Sequence, residues 1–185
     1  LVGEYTLDHT FEEDGLWTWT SCWSSGHIPE PGNDVVICAH CEVPADYVAK
    51  ADTVSIPYYD TIFIKDGGQL FHSNAGVQAI AERTISTYSD ADAKDHYHLI
   101  ASPMATSLVP SDTIQTNLLA NDHDLYLFDQ SETLEWRNYK ANQEDFSIDN
   151  GIGYLYANDG DGESSYTIKL MGELQPSNEE SLDRK

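Results

Sequence analysis

The fold class is best indicated by the stretch Val54-Ser-Ile-Pro-Tyr-Tyr-Asp-Thr-Ile62-Phe-Ile-Lys-Asp-Gly-Gly-Gln-Leu70. Its apolar residues recur at every second position in short runs, and Pro, Asp or Gly bounds each run. Such alternation is typical of a strand with one buried face, and Pro, Asp and Gly favour turns between strands. Similar runs recur at Leu125-Tyr-Leu127 and Tyr166-Thr-Ile-Lys-Leu170. The sequence therefore predicts an all-β protein.

The strand spacing in the first half of the chain narrows the choice of architecture. Val54, Ile62 and Leu70 lie eight residues apart, with corners predicted at Tyr59-Asp60 and Asp66-Gly67-Gly68. Short strands at a fixed interval fit the successive sides of a β-solenoid coil, in which each side stacks on the coils before and after it. They also fit an ordinary antiparallel meander, so the spacing leaves both architectures open.

Two segments carry a partly helical pattern. Residues 74–86 contain several alanines, but Val77, Ala79 and Ala81 alternate with other residues, so we predict a strand there. In Ser111-Asp-Thr-Ile-Gln-Thr-Asn-Leu-Leu119 an N-cap residue precedes an amphipathic turn, which predicts a short helix.

The charge balance limits the possible partners. The chain has 32 Asp and Glu against 9 Lys and Arg, a formal net charge of −23. Nucleic acids and anionic bilayers bind clustered cations, so we expect no nucleic-acid partner. No run reaches the roughly 20 apolar residues that cross a membrane, so membrane insertion is not expected either. With 40% hydrophobic residues and four Trp, the chain has enough apolar surface to fold.

The tryptophan-rich segment near the start carries a family resemblance. Trp17-Thr-Trp19-Thr-Ser-Cys-Trp23 is followed by Gly26-His-Ile-Pro29 and then by Asp34-Val-Val-Ile37. This order of Trp, Gly, Pro, Asp, Val and Ile resembles the opening of Bacteroidetes-type secreted or cell-surface β-helix proteins that are adhesin-like. In the second half, His98-Leu-Ile-Ala-Ser-Pro103 and Asn150-Gly-Ile-Gly-Tyr-Leu-Tyr156 resemble the compact β-module that often follows the β-helix in such proteins.

The resemblance implies an architecture and a location. Residues 1–90 would form a short right-handed parallel β-helix with a Trp-rich N-terminal cap, and residues 91–174 a compact antiparallel β-module. The polar residues 175–185 would be a linker or tail, which makes the chain one part of a larger multidomain protein. A secreted or cell-surface location and a non-catalytic role, adhesin-like or in structural display, are implied as well.

The tryptophans admit two roles. A solenoid end exposes apolar interior and unpaired strand edges, which large aromatic side chains cover. Alternatively, aromatic faces stack on the C–H faces of sugars, and the chain would then be a carbohydrate-binding module. Glycans or host surface proteins are the possible partners in that case. The candidate ligand-binding residues are Trp17, Trp19, Trp23 and Trp136.

Short catalytic motifs are missing from the sequence. There is no G-x-S-x-G, H-E-x-x-H, P-loop or G-x-G-x-x-G pattern, so we predict no catalytic residue. A fragment of a carbohydrate-active enzyme is the second alternative, because such enzymes draw their two carboxylates from distant strands and leave no short motif.

Three cysteines predict one disulfide and one free thiol in an exported protein. Cys22 could pair with Cys38 or Cys41, and we favour Cys22–Cys41. A redox pair at Cys38 and Cys41 is disfavoured because a strand, rather than a helix N-terminus, leads into it. Zinc held by the cysteines with His27 or His40 has acceptable ligand types but lacks a second paired motif.

The acidic and histidine clusters suggest little metal chemistry. Asp159-Gly-Asp161-Gly-Glu163 is similar to a calcium loop, but Ser164 and Leu170 stand where an EF-hand needs Gly and Glu. A hairpin turn explains its glycines, so we expect no cofactor beyond weak calcium at Asp159, Asp161 and Glu163. The paired His96 and His98 are interpreted as structural. The other acidic clusters are Asp90-Ala-Asp92, Asp122-His-Asp124 and Glu144-Asp145.

Overall fold

A computed structural model describes residues 9–57, 60–88, 96–141 and 146–177. The protein is all-β, with 44% strand and 4% helix, which confirms the predicted class. Parallel and antiparallel pairings both occur. Tyr59, the clusters Asp90-Ala-Asp92 and Glu144-Asp145, and most of the predicted tail lie outside the described residues. Within the described part of the chain, no helix is long and apolar enough to span a membrane.

The chain divides into two compact units. Unit 1 comprises residues 1–81 and 173–185, and unit 2 comprises residues 82–172. The strands that begin in unit 1 are β1 (His9–Phe11), β2 (Gly15–Leu16), β3 (Val35–Ile37), β4 (Cys41–Val43), β5 (Val48–Lys50), β6 (Val54–Ser55), β7 (Ile62–Ile64), β8 (Gln69–Phe71) and β9 (Gln78–Ser86). The strands that follow are β10 (His98–Ala101), β11 (His123–Phe128), β12 (Trp136–Asn138), β13 (Gly153–Asn158) and β14 (Ser165–Glu173).

In unit 1 the described strands pair in parallel. One set has the order β1-β3-β6, and a third joins β5 to β8. The second, β2-β4-β7-β9, is the parallel part of a five-stranded sheet in which β14 is the other neighbour of β9. Cys41 of β4 lies opposite Ile62 of β7, which lies opposite Ala79 of β9, and all three side chains are fully buried. Residues that are in register on neighbouring parallel strands point to the same face of the sheet, so these three side chains stack into a continuous apolar column. That column forms part of the core of unit 1.

In unit 2 the main sheet is antiparallel. It has four strands in the order β10-β13-β11-β12. Ile100, Leu125, Tyr154 and Tyr156 are buried on its inner face. The Tyr156 hydroxyl donates to the Leu118 carbonyl at 2.7 Å, so even the polar end of this side chain is paired within the core.

A buried amide connects the loops at one end of this sheet. Asn158 is fully buried, and its Nδ2 donates to the Ala120 carbonyl at 2.8 Å and to the Tyr156 hydroxyl at 2.9 Å. Its Oδ1 accepts from the backbone N–H of Gly160 at 2.8 Å. Since every one of these groups is satisfied, the network connects the loop before β11 to the turn after β13 without the cost of an unpaired buried amide.

The predicted helix over Ser111–Leu119 was wrong. This segment forms turns, with one antiparallel bridge from Thr116 to Leu170. The carboxylate of Asp112 accepts from the backbone N–H of Ile114 at 2.9 Å, and the Thr116 hydroxyl donates to the Pro110 carbonyl at 3.0 Å. Side-chain bonds of this kind satisfy the backbone locally and compete with a helix. The predicted strand within residues 74–86 is observed as β9.

Candidate functional site

Trp17 and Trp23 belong to the core of unit 1. Trp17 is 0% exposed and Trp23 is 3% exposed. The Trp23 ring packs edge-on against Trp17 and against Phe11, with ring centroids 4.9 Å apart in both pairs. Trp23 Nε1 donates to the Trp17 carbonyl at 2.8 Å, which satisfies this indole in the interior. Neither indole offers a face for a ligand to stack on.

The segment that contains Trp23 covers the free side of β1. β1 is the last strand of its sheet, so one of its edges has no strand partner in that order. On that side Glu12 N donates to Cys22 O at 2.9 Å, and Ser24 N donates to Thr10 O at 2.8 Å. Phe11 and Trp23 form an antiparallel bridge. These bonds close an edge that would otherwise be open to pairing with another chain.

Trp19 covers β2, the last strand of the second set. Its side chain is 51% exposed, but one edge of the ring lies against Gly15. A Cβ added at Gly15 would lie 2.7 Å from Trp19 Cε3 and 2.8 Å from the Cys22 sulfur. The Trp19 backbone N–H also donates to Leu16 O at 2.9 Å. Trp19 is therefore packed along one edge of its ring, and about half of its surface is open to solvent.

The three cysteines are free thiols, so the expected Cys22–Cys41 disulfide is absent. No pair among these cysteines lies at disulfide distance. Cys41 is fully buried between Gly15 and Ile62 in the strand register, and the sulfur of Cys22 packs close to Gly15. Burial raises the pKa of the Cys41 thiol, and the nearby Cys22 and Glu42 raise it further. Both thiols thus act as apolar packing groups in the core.

The predicted calcium residues form part of a turn. The carboxylate of Asp159 accepts from the backbone N–H of Asp161 at 3.1 Å and from that of Asp122 at 3.2 Å. Asp161 has a φ of 52°, in the left-handed region that turns require. The structure places Glu163 just after the short 3-10 helix Gly160–Gly162. Across the described ranges, no three His, Cys, Asp or Glu side chains form a group that could hold a metal ion, zinc included.

His96 and His98 contact the same serine. Ser86 Oγ lies 3.3 Å from His96 Nδ1 and 3.2 Å from His98 Nε2. His98 Nε2 also lies 3.1 Å from the Ser86 carbonyl oxygen. The pair therefore connects the start of β10 to the end of β9 inside unit 2.

Trp136 is the one tryptophan of unit 2, and it lies on the surface. It is 46% exposed and pairs across the antiparallel ladder with Phe128, which is 41% exposed. The two ring centroids are 4.9 Å apart and the rings are tilted by 50°. Since successive strand residues alternate between faces, both rings point away from the face that carries Leu125 and Tyr154. The sequence placed Trp136 among the candidate binding residues but missed Phe128.

The rest of this outer face is also apolar. Tyr126 lies next to Phe128 on the same side of β11, and its ring is 6.1 Å from that of Tyr97. Leu155 pairs with Tyr126 on one side and with Leu99 on the other, and Leu99 is 75% exposed. We call these residues the aromatic face: Tyr97, Leu99, Tyr126, Phe128, Trp136 and Leu155.

Polar groups lie on the same surface. The Asp124 carboxylate accepts from the Tyr97 hydroxyl at 3.1 Å and from Asn138 Nδ2 at 3.2 Å. Burial, followed by the charge of Asp124, raises the pKa of Tyr97, so its hydroxyl stays protonated and can donate. Gly153 is exposed on this side opposite Ala101, and a Cβ added there would meet no atom within 4 Å. The surface thus has a rigid polar element and an open position.

A signal for this face was present in the sequence. In Asp124-Leu-Tyr-Leu-Phe128 both alternating sets of positions carry apolar residues. A half-buried strand has apolar residues on one set only, so the pattern indicates two apolar faces. The structure shows one of them packed into the core and the other partly exposed.

No protein-family model matches the chain, and the searches of curated proteins and of solved structures also found no match.

Proposed function

We propose that this chain is a non-catalytic module of a secreted or cell-surface protein, with an adhesin-like or structural display role. In this proposal unit 1 is a short right-handed parallel β-helix, and the Trp-rich segment is its N-terminal cap. The parallel sets β1-β3-β6, β2-β4-β7-β9 and β5-β8 support the proposal, because each set takes strands that recur in the same order along the chain. Such recurrence is what stacked coils produce.

The observation that carries the proposal is the position of Trp17 and Trp23. Both indoles are buried, Trp23 against Phe11 and Trp17 against Trp23, and the backbone around Trp23 hydrogen-bonds to β1, the strand at the edge of its sheet. A ligand-binding trench would leave those rings open to water. A cap at the end of a solenoid needs them buried and needs the last strand edge covered.

Surface labelling tests the display role. Antibodies raised against this chain should label intact cells that produce the protein, to the same extent before and after permeabilisation. A cytoplasmic protein of the same cells, labelled only after permeabilisation, is the matched control. Labelling of the chain only after permeabilisation would overturn the proposal.

A carbohydrate-binding module is the second candidate. The exposure of Trp136 and Phe128 favours it, because paired aromatic rings held open on a strand ladder suit stacking on sugars. Glycans are then the expected partners, with host surface proteins as the other choice.

A further inference from the structure

We propose that the aromatic face of unit 2 binds an uncharged saccharide chain. The inference deepens the second candidate function by naming the site and the ligand class, and it rests on the surface role proposed above. All residues of the site lie on β10, β11, β12 and β13 or directly beside them.

The aromatic face departs from the usual composition of a solvent-exposed sheet. An antiparallel sheet with one buried face ordinarily carries polar residues on the other. Here the outer positions hold Leu99, Tyr126, Phe128 and Trp136 in neighbouring strands. Contiguous exposed apolar groups on a folded protein mark interaction sites, whereas single ones need no explanation. The aromatic face is therefore a candidate docking surface.

The aromatic face offers both of the contacts that a sugar makes, a stacking surface and hydrogen-bonding groups. A pyranose ring has C–H faces that stack on aromatic rings and hydroxyl groups around its edge. The Phe128 and Trp136 rings supply the stacking surface, while Asp124 and Asn138 lie beside Tyr126. A carboxylate oxygen has more than one lone pair, so Asp124 can accept a hydroxyl in addition to its two existing bonds. A purely apolar partner would bury the Asp124 carboxylate without replacing the hydrogen bonds that it accepts from solvent.

The aromatic face carries few charged side chains. Although the chain has a net charge of −23, Asp124 is the one Asp, Glu, Lys or Arg at an outward-facing position of the described strands β10, β11, β12 and β13. Its charge is already stabilised by Tyr97 and Asn138. Apart from Asp124, the outward-facing positions of these strands are uncharged, which suits an uncharged ligand. A second copy of the chain is disfavoured because two molecules of the same high charge repel each other.

The Phe128 and Trp136 rings are preorganised for binding. Phe128 and Trp136 are a cross-strand pair on hydrogen-bonded strands, so their backbones are fixed before a ligand arrives. Aromatic side chains also have few rotatable bonds, which lowers the entropy lost on binding. The site needs no rearrangement to present its rings.

Calorimetry with neutral oligosaccharides tests the proposal. The probes are maltohexaose, cellohexaose, xylohexaose, mannohexaose and N-acetylchitohexaose, and at least one should bind the full chain. Trp136→Ala should weaken that binding by about tenfold or more, as expected for a central aromatic contact. Gly153→Trp should weaken it as strongly, because the new ring fills open space on this face without a clash.

Ile114→Ala is the matched control. Ile114 is 77% exposed in unit 2 but lies in a turn outside the aromatic face. Its replacement should change the dissociation constant by less than about twofold, since an isolated exposed side chain contributes little. Circular dichroism should show that all three variants fold, and Trp136→Phe should retain part of the affinity.

Several results would overturn the proposal. They include no binding of any of the five probes, binding that neither Trp136→Ala nor Gly153→Trp weakens, and self-association in sedimentation that Trp136→Ala abolishes. Release of reducing ends from a probe would also contradict it, in favour of an enzyme fragment. Surface labelling of intact cells without sugar binding would overturn this inference alone, whereas labelling only after permeabilisation would overturn the proposed function.

Discussion

The tryptophans near the start of the chain and the tryptophan of β12 have opposite environments. Trp17 and Trp23 are buried in an edge-to-face cluster, while Trp136 stands half-exposed beside Phe128. In unit 1 the chain folds back over a terminal strand and carries its indoles inward. In unit 2 a strand ladder holds the ring on the face opposite the core. Backbone placement, rather than residue type, decides whether an aromatic side chain packs in the core or faces solvent.

The largest expected effect separates the two tryptophan environments by stability. Trp17→Ala should lower the free energy of unfolding by about 3–5 kcal/mol, because it leaves a large cavity in a packed core. Trp136→Ala should cost less than about 1 kcal/mol, since the ring is half-exposed. Urea denaturation followed by circular dichroism measures both values. Equal losses for the two variants would erase the distinction between the regions.

Two glycines give the same comparison at smaller scale. Gly15→Ala places a Cβ 2.7 Å from the Trp19 ring and 2.8 Å from the Cys22 sulfur, so it should cost about 1–3 kcal/mol through overpacking. Gly153→Ala is the matched control, because its Cβ meets nothing within 4 Å and should change stability by less than about 0.5 kcal/mol. Thermal and urea unfolding would check the pair. A neutral Gly15→Ala would show that Trp19 does not seal β2.

Thiol reactivity tests the packing around the buried tryptophans of unit 1. Cys22 and Cys41 are buried, and the pKa of Cys41 is raised mainly by burial, whereas Cys38 is half-buried. Because the thiolate is the reactive form, Cys38 should react with iodoacetamide at least about tenfold faster than the other two in the native protein. Peptide mass spectrometry after timed alkylation resolves the three sites, with a urea-denatured sample as the control. Equal native rates would contradict a closed cap.

We also expect a small dependence of the folding stability on pH, caused by His72 in unit 1. His72 is 1% exposed, its Nδ1 lies 2.9 Å from the Asn74 carbonyl, and its Nε2 has no hydrogen-bond partner among the residues that the structure describes. Burial lowers the pKa of His72 below its ordinary 6.5. Between the lowered pKa and pH 6.5, the unfolded state therefore binds more protons than the folded state. The contribution of neutral His72 to the folding stability is present above pH 6.5 and is lost as the pH falls.

His72→Gln provides the control for that pH dependence. The wild-type chain should lose more stability than the variant between about pH 7.5 and about pH 5.5, by less than about 1 kcal/mol. Urea midpoints at the two pH values give the difference. Identical pH slopes for the two proteins would show that His72 does not titrate with unfolding.

Local chemistry made much of the fold predictable. Ile62-Phe-Ile64 and Gln69-Leu-Phe71 are strands, as alternation predicts. The corner predicted at Asp66-Gly67-Gly68 is present, and it needs both glycines. Gly67 has a φ of 80°, and a Cβ at Gly68 would lie 2.7 Å from the Pro44 carbonyl oxygen.

What the sequence could not predict depends on contacts between distant residues. An N-cap pattern at Ser111 suggested a helix, but Thr116 pairs with Leu170 instead. Three cysteines, in a chain that we expected to be exported, suggested a disulfide, yet the packing of Cys22 near Gly15 and of Cys41 against Ile62 leaves them as thiols. The aromatic face requires the register of four strands, which no local pattern contains.

Oxidation by N-bromosuccinimide separates buried from exposed tryptophans, because the reagent attacks accessible indoles and peptide mass spectrometry locates each product. We expect early oxidation of Trp136 and Trp19, at 46% and 51% exposure, and protection of Trp17 and Trp23 until the protein unfolds. Early oxidation of Trp17 or Trp23 in the native protein would contradict the claim that these indoles form the buried cap of unit 1.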